Sequence, residues 1–183
     1  YNAEATLGDC LKALRNMTVE PVEVLVYVDG STDGTEQIAR DAGAQVLKNS
    51  GRPKGPALAR NAAAAVANSD LLWFVDADVV VSPDCLRRLI DDMQANAAVA
   101  AFGSYDDKPA SLRATSLYAN LRHHYVHQRG NPDATTFWSG IGLMRRDIFL
   151  QFGGFDWERF PYPSVEDVEL GMRVVAAGHR IRL

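Results

Sequence analysis

Leu71-Leu72-Trp73-Phe74-Val75-Asp76-Ala77-Asp78 sets five apolar side chains in a row and ends them on two carboxylates. An unbroken apolar run of this length marks a strand buried on both faces, as in sheets covered by helices on each side. Upstream, residues 22–28 (Val-Glu-Val-Leu-Val-Tyr-Val) make a second such run. It leads through the turn-forming Asp29-Gly30-Ser31-Thr32-Asp33-Gly34 into a short helix over 35–42 that Gly43 closes. Residues 46–47 read as a short strand, 48–56 as a polar loop and the alanine-rich 57–67 as a helix. Downstream, Ser82-Pro83-Asp84 is a helix start, with Ser82 as N-cap and proline at the first position, and the helix runs to about Gln94.

The remainder follows the same alternation. Residues 97–102 suggest a strand, and 111–128 carry Leu112, Leu117, Leu121 and Tyr125 at helical spacing. Residues 135–144 are extended but interrupted by glycine, 146–152 form a short helix and 165–177 a last one. Apolar strands alternating with helices imply an α/β fold of three layers, a mixed and mainly parallel sheet with helices on both faces. The helix over 4–17, with Leu7, Leu11 and Leu14 on one face, lacks the strand that should precede it. The chain opens on Tyr1-Asn2 and stops in the alternating Arg180-Ile181-Arg182-Leu183. It reads as one domain over 1–183, truncated at both ends and missing a strand upstream of Tyr1.

Composition narrows the function classes. At 183 residues, 47% hydrophobic and 23% charged, the chain is a globular domain rather than a disordered tail or a fibrous repeat. A net charge of −4 argues against a nucleic-acid polymer as partner. Two cysteines, Cys10 and Cys85, make neither a disulfide framework nor a zinc site. No apolar run approaches the roughly 18 residues of a membrane span, and no secretory signal is evident. The expectation is a cytoplasmic domain, or one held at the cytoplasmic face of a membrane by flanking segments only.

Asp76 and Asp78 carry the sharpest chemical signal. Carboxylates at i and i+2 point the same way from an extended backbone, at the strand end where open sheets bind ligands. One or two carboxylates plus substrate phosphates are a common way to hold Mg²⁺ or Mn²⁺; the plain alternative is two solvated loop acids. The stretch also resembles the first motif of haloacid-dehalogenase-type phosphatases, with Asp76 as nucleophile. That family places the motif on its first strand and needs a later Gly-Asp-x-x-x-Asp, which is absent here. Asp29-Gly30-Ser31 resembles the Mg²⁺ loop of integrin-type adhesion domains, but a helix-capping turn accounts for its residues. His123-His124-x-x-His127 has helical spacing that suits a metal, but no carboxylates accompany it, and a solvated face shared with Arg122 and Arg129 is the reading preferred over a metal site. Gly51-Arg52-Pro53-Lys54-Gly55 is too short for a phosphate-binding loop of the Walker type.

Taken in order, Tyr1-Asn2-Ala3-Glu4, the segment 28–35, Gly55-Pro56-Ala57-Leu58-Ala59-Arg60-Asn61, Asp76-Ala77-Asp78, Phe137-Trp138-Ser139-Gly140, Arg145-Arg146, Gly153-Gly154-Phe155-Asp156 and Glu166-Asp167-Val168-Glu169-Leu170-Gly171 resemble glycosyltransferase family 2. The resemblance implies the GT-A nucleotide-diphospho-sugar transferase fold. It also implies an inverting transfer from a nucleotide-diphospho-sugar, a UDP-sugar, to an acceptor hydroxyl on a glycan, lipid or small molecule. On that pattern Tyr1 lines the nucleotide pocket, Asp29 accepts a hydrogen bond from the base, and Arg60 approaches the base or the diphosphate. Asp76 faces the ribose or the metal, and Asp78 binds Mn²⁺ or Mg²⁺. Asp167 is the catalytic base supported by Glu166, and Trp138, Ser139 and Gly140 lie on the acceptor side. Without Asp78 and Asp167 in working order, the same fold would be a non-catalytic sugar-nucleotide binding domain.

Overall fold

The computed structural model describes residues 1–108 and 113–183. In chain order the elements are α1 (Leu7–Arg15), β1 (Leu25–Asp29), α2 (Thr35–Asp41), β2 (Gln45–Asn49), α3 (Pro56–Val66), β3 (Leu71–Val75) and α4 (Cys85–Ala95). They continue as β4 (Ala100–Phe102), α5 (Ala114–Gln128), β5 (Asp133–Ala134), β6 (Ile141–Arg145), α6 (Arg146–Gln151), α7 (Glu166–Ala176) and β7 (Ile181–Arg182). Each expected strand and helix has its counterpart, with shifted ends. α4 begins at Cys85 because the Ser82 hydroxyl bonds Asp84 Oδ1 at 2.9 Å instead of capping a helix N–H. Ser111 and Leu112, expected in the helix before Tyr125, lie outside the described residues.

The alternation of side chains along β3 divides the core. Leu72 and Phe74 pack with Ala57 and Ala64 of α3, Phe149 of α6 and Leu170 and Val174 of α7. Leu71, Trp73 and Val75 point the other way, toward Leu7 and Leu11 of α1, Ala39 of α2 and Leu89 and Met93 of α4. Helices therefore cover both faces, and the three layers are present.

The sheet is mixed as expected, but its balance is not. β1 pairs with β2 and β4 with β7 in parallel, whereas β3–β6, β4–β6 and β5–β7 are antiparallel. The reason is β6, which inserts between β3 and β4 in the strand order β3-β6-β4-β7-β5 and runs against both. β1 and β3 belong to different sheets and do not pair. Between them runs a cavity of about 730 Å³, bordered by Leu7, Leu11, Val26 and Trp73 along its length and by Asp29, Arg60 and Asp76 at the strand ends.

The approach of α7 to the segment before β6 sets the geometry of the site. A Cβ on Gly171 would collide with the Phe137 nitrogen and the Thr136 carbonyl carbon, so glycine alone lets the helix and that backbone touch. Gly171→Ala is expected to lose about 1–3 kcal/mol of stability, the usual cost of overpacking, because backbone must move on one side. Urea unfolding of the two proteins, followed by circular dichroism, measures the difference; equal midpoints would show that the contact yields freely.

Candidate active site

Two pairs of acids meet at the open ends of the strands. Asp76 follows β3, and its N–H donates to the Gly140 carbonyl at 3.0 Å, which fixes the donor motif against the loop before β6. Asp78 lies one turn further and is exposed. Glu166 and Asp167 open α7, where acids favour the helix N-terminus, yet both are buried. Glu169 turns away to pair with Arg173 at 2.7 Å.

Arg60 of α3 joins the two pairs. Its Nη2 lies 2.6 Å from Asp76 Oδ1 and its Nη1 3.2 Å from Glu166 Oε1. The Phe155 ring lies beneath the same guanidinium, 5.8 Å from centroid to Cζ. Glu166 also accepts the Ser164 N–H at 3.0 Å. Arg60, expected to approach the base or the diphosphate, thus bridges two carboxylates at the border of the cavity. Withdrawal from water lifts the Asp76 carboxyl above its ordinary value of 3.8; Arg60 pulls it down, while Asp78 and Asp167 add to the rise. The charges of Asp78 and Asp76 also reach Cys10 and Tyr105, whose ionisation burial already opposes, pushing them up to about 11 and about 12.

Asp167 is held at both oxygens, Oδ1 accepting the Val168 N–H at 2.8 Å. Its Oδ2 accepts the Ser139 N–H at 2.8 Å and the Ser139 hydroxyl at 2.9 Å, with Ser139 only 2% exposed. Gly140 permits the approach, since a Cβ there would meet Trp138 Cζ2 at 2.8 Å and Asp76 Oδ2 at 3.3 Å. Trp138, Ser139 and Gly140 therefore adjoin both acid pairs.

Asp29, expected to meet the base, is buried at the end of β1. Its carboxylate accepts N–H bonds from Lys54 (2.9 and 2.8 Å) and Gly55 (2.8 Å), together with one from Asn49 Nδ2 (3.2 Å). Three N–H donors thus hold it, that of Lys54 shared between its two oxygens. Asp29 here anchors the loop leading to α3. Tyr1 is 65% exposed at the rim of the cavity that Asp29, Arg60 and Asp76 also border. Asn2, Ala3 and Glu4 are laced to the 31–35 turn: Asn2 N–H to Ser31 Oγ, Thr32 N–H to Asn2 Oδ1, Ala3 N–H to Thr35 Oγ1 and Gly34 N–H to Glu4 Oε2. Only the serial placement of both segments in the sequence hinted at this lacing.

Around Trp138, expected on the acceptor side, the structure gathers a cluster that the sequence did not announce. Trp138 stacks on His123 (5.8 Å, 7° between planes), meets His127 at 4.9 Å and takes Tyr105 edge-on at 5.0 Å. His124 Nδ1 lies 2.8 Å from the Tyr105 carbonyl oxygen. The histidines of α5 are thus half-buried packing partners of the tryptophan rather than a solvated face, and the described residues hold no cluster of three metal-ligating side chains. Arg145 and Arg146 sit at the opposite end of β3, where Arg145 is the partner of Leu71 and pairs with Asp147; they do not face the acids.

Residues 1–153 match the pattern of Glycosyl transferase family 2. The succinoglycan biosynthesis protein ExoA of Rhizobium meliloti is 31% identical over 91% of this chain and 52% of its own length. A glucosyl-dolichyl phosphate glucuronosyltransferase of Haloferax volcanii is 24% identical over 82% of this chain and 51% of its own. The chain spans about half the length of these curated relatives. Among solved structures, a mannosyltransferase from Pyrobaculum calidifontis in complex with GDP-Man and Mn²⁺ superposes with a TM-score of 0.72 at 19% identity, covering 96% of this chain and 50% of that one. TarS 1-349 of S. aureus in complex with UDP-GlcNAc gives 0.73 at 19% identity, covering 100% and 53%. These are GT-A folds, and the α/β architecture described above is theirs. No helix among the described residues is long and apolar enough to cross a membrane.

The packing around Trp138 has a measurable consequence. Burial, and secondarily the charge of His123, hold the His127 imidazole below its ordinary value of 6.5. The unfolded chain therefore takes up the proton first as pH falls, so this residue's contribution to stability is complete above about 6.5 and declines below it. The melting temperature is expected to drop between pH 7.5 and 5.5, and His127→Gln to flatten that drop with His123 and His124 still in place. Equal slopes in wild type and variant would contradict the assignment.

Proposed function

The chain belongs to Glycosyl transferase family 2, and on that premise we propose that it moves a sugar from a nucleotide-diphospho-sugar, a UDP-sugar, to an acceptor hydroxyl with inversion at the anomeric carbon. The observation that carries this reading is the Arg60 bridge, which brings the acids after β3 and the acids of α7 to one mouth. Tyr1, Asp29, Arg60 and Asp76 border the same cavity between β1 and β3, and these polar side chains are the ones the reading assigns to the nucleotide.

Asp76 and Asp78 suit a divalent cation: they offer two carboxylates on one edge, and the carboxyl of Asp76 already feels surplus negative charge from Asp78 and Asp167. Mn²⁺ or Mg²⁺ held there with the diphosphate would supply Lewis-acid stabilisation of the leaving group. The remaining work falls to the chain. Asp167 takes the proton of the attacking acceptor hydroxyl, with Ser139 orienting its carboxylate through Oδ2. Glu166, tied to Arg60, supports the pair and keeps the guanidinium aimed at the mouth. Trp138 forms the acceptor-side wall; His123 covers one of its faces. The polysaccharide and lipid-linked chemistry in the names of the relatives is consistent with a glycan or lipid acceptor in building an envelope or extracellular polysaccharide. A phosphatase using Asp76 as nucleophile is disfavoured, because its motif ends β3 with β1 and β2 before it, and the family match is to glycosyl transferases.

Asp167→Asn should lower turnover with a UDP-sugar by about 10²–10⁴ while UDP affinity stays within about 2-fold, since a base acts in the transition state more than in donor binding. Asp78→Asn should instead abolish the Mn²⁺-dependent part of UDP affinity, read by calorimetry with and without the metal. Normal turnover by folded Asp167→Asn, or undiminished Mn²⁺-assisted binding by Asp78→Asn, would overturn the respective role. UDP binding by the wild type with no turnover of any donor would leave a non-catalytic sugar-nucleotide binding domain.

A further inference from the structure

The helix α5 is built inside out. None of its residues is buried, and Tyr118, Leu121, Tyr125 and Val126 are exposed by 71, 39, 58 and 54%. On a helix these four share one side with Arg122 and Arg129, whereas His123 and His127 turn inward onto Trp138. The Arg129 guanidinium lies over the Tyr125 ring, 4.7 Å from its centroid, so cation and aromatic ring form one surface. Charge sets the segment apart as well. From Lys108 to Pro132 the sequence has no Asp or Glu, in a chain whose net charge is −4.

We propose that this outward face docks on an anionic lipid bilayer, with Tyr118, Leu121 and Tyr125 at headgroup depth and Arg122 and Arg129 on lipid phosphates. Tyrosine rings and snorkelling arginines are the side chains that a membrane interface accommodates, apolar body inward and polar tip toward water. Charge decides against a second copy of the chain as the occupant: a symmetric pairing through this face would set arginine against arginine with no acid on the helix to compensate. The proposal locates membrane contact within the domain itself, where the sequence had suggested flanking segments only. It is independent of the sugar-transfer chemistry, since none of these outward residues belongs to the acid site.

The test is sedimentation of the whole chain with vesicles of phosphatidylcholine alone and of phosphatidylcholine containing one-third phosphatidylglycerol, at low and high salt. Binding is expected only with the anionic vesicles and only at low salt. The double variant Arg122→Gln/Arg129→Gln should weaken it roughly 25-fold, at about 5-fold per cation. Tyr118→Ser/Tyr125→Ser should weaken it without altering net charge. Arg87→Gln/Arg88→Gln, which removes two exposed cations from α4, should leave it unchanged. Circular dichroism establishes that each variant is folded. Absence of binding to anionic vesicles, or equal losses in the α4 and α5 charge variants, would overturn the proposal. So would a dimer that the α5 variants dissociate while vesicle binding persists, which would assign the face to a second copy.

Discussion

A single guanidinium holds this site together. Four carboxylates converge where β3 ends and α7 begins, and the charges of Asp78 and Asp167 act on Asp76 against its ionisation. Arg60 answers this from α3, with one nitrogen on Asp76 and another on Glu166. Only a planar, permanently charged fork reaches both at once; a lysine ammonium would serve one and leave the other. Glu166 is 4% exposed, so without its partner it would be a buried, unpaired charge, a state that costs about 3–5 kcal/mol. The next residue, Asn61, fixes the other wall by exchanging two hydrogen bonds with the Phe155 backbone at 2.7 and 3.0 Å. One turn of α3 thus positions the acids after β3, the acids of α7 and the Gly154-Phe155 loop.

The loops around that turn are fixed by side chain to backbone bonds. Asp29 secures the approach to α3, and the 2–4 segment is tied to the 31–35 turn in both directions. Buried or part-buried backbone groups need such partners wherever no strand or helix supplies them. Polar residues in these segments therefore build the pocket before they can recognise anything in it. That is why Asp29, expected at a base, is found holding a loop.

Most of the fold was legible because burial writes itself into sequence periodicity. The run 71–75 is apolar throughout because the sheet is covered on both faces, and the two sets of alternate residues do enter different cores. The acids at 76, 78, 166 and 167 were legible as well, each at the end of a recognisable element. Strand direction was not: an apolar run has no polarity, so nothing in 141–145 announces that β6 runs against both neighbours. Nor was the Arg60 bridge, which joins positions 106 residues apart and depends on tertiary packing alone. The histidines of α5 misled for a related reason. Helical spacing shows which residues share a face but not what that face meets, and here it meets Trp138.

The direction of β6 matters to more than topology. By entering antiparallel beside β3, it brings the loop that precedes it to the very edge where β3 delivers Asp76. The Gly140 carbonyl there accepts the Asp76 N–H, and the neighbouring Ser139 gives both of its donors to Asp167. Two adjacent residues therefore couple the acid proposed for the donor to the acid proposed as base, through three short hydrogen bonds rather than through flexible side chains. A parallel β6 would have put that loop at the far end of β3, beside Asp70. The antiparallel insertion is thus what turns two separate acid motifs into one site, and Gly171 and Gly140 are the glycines that let the backbones come close enough for it to form.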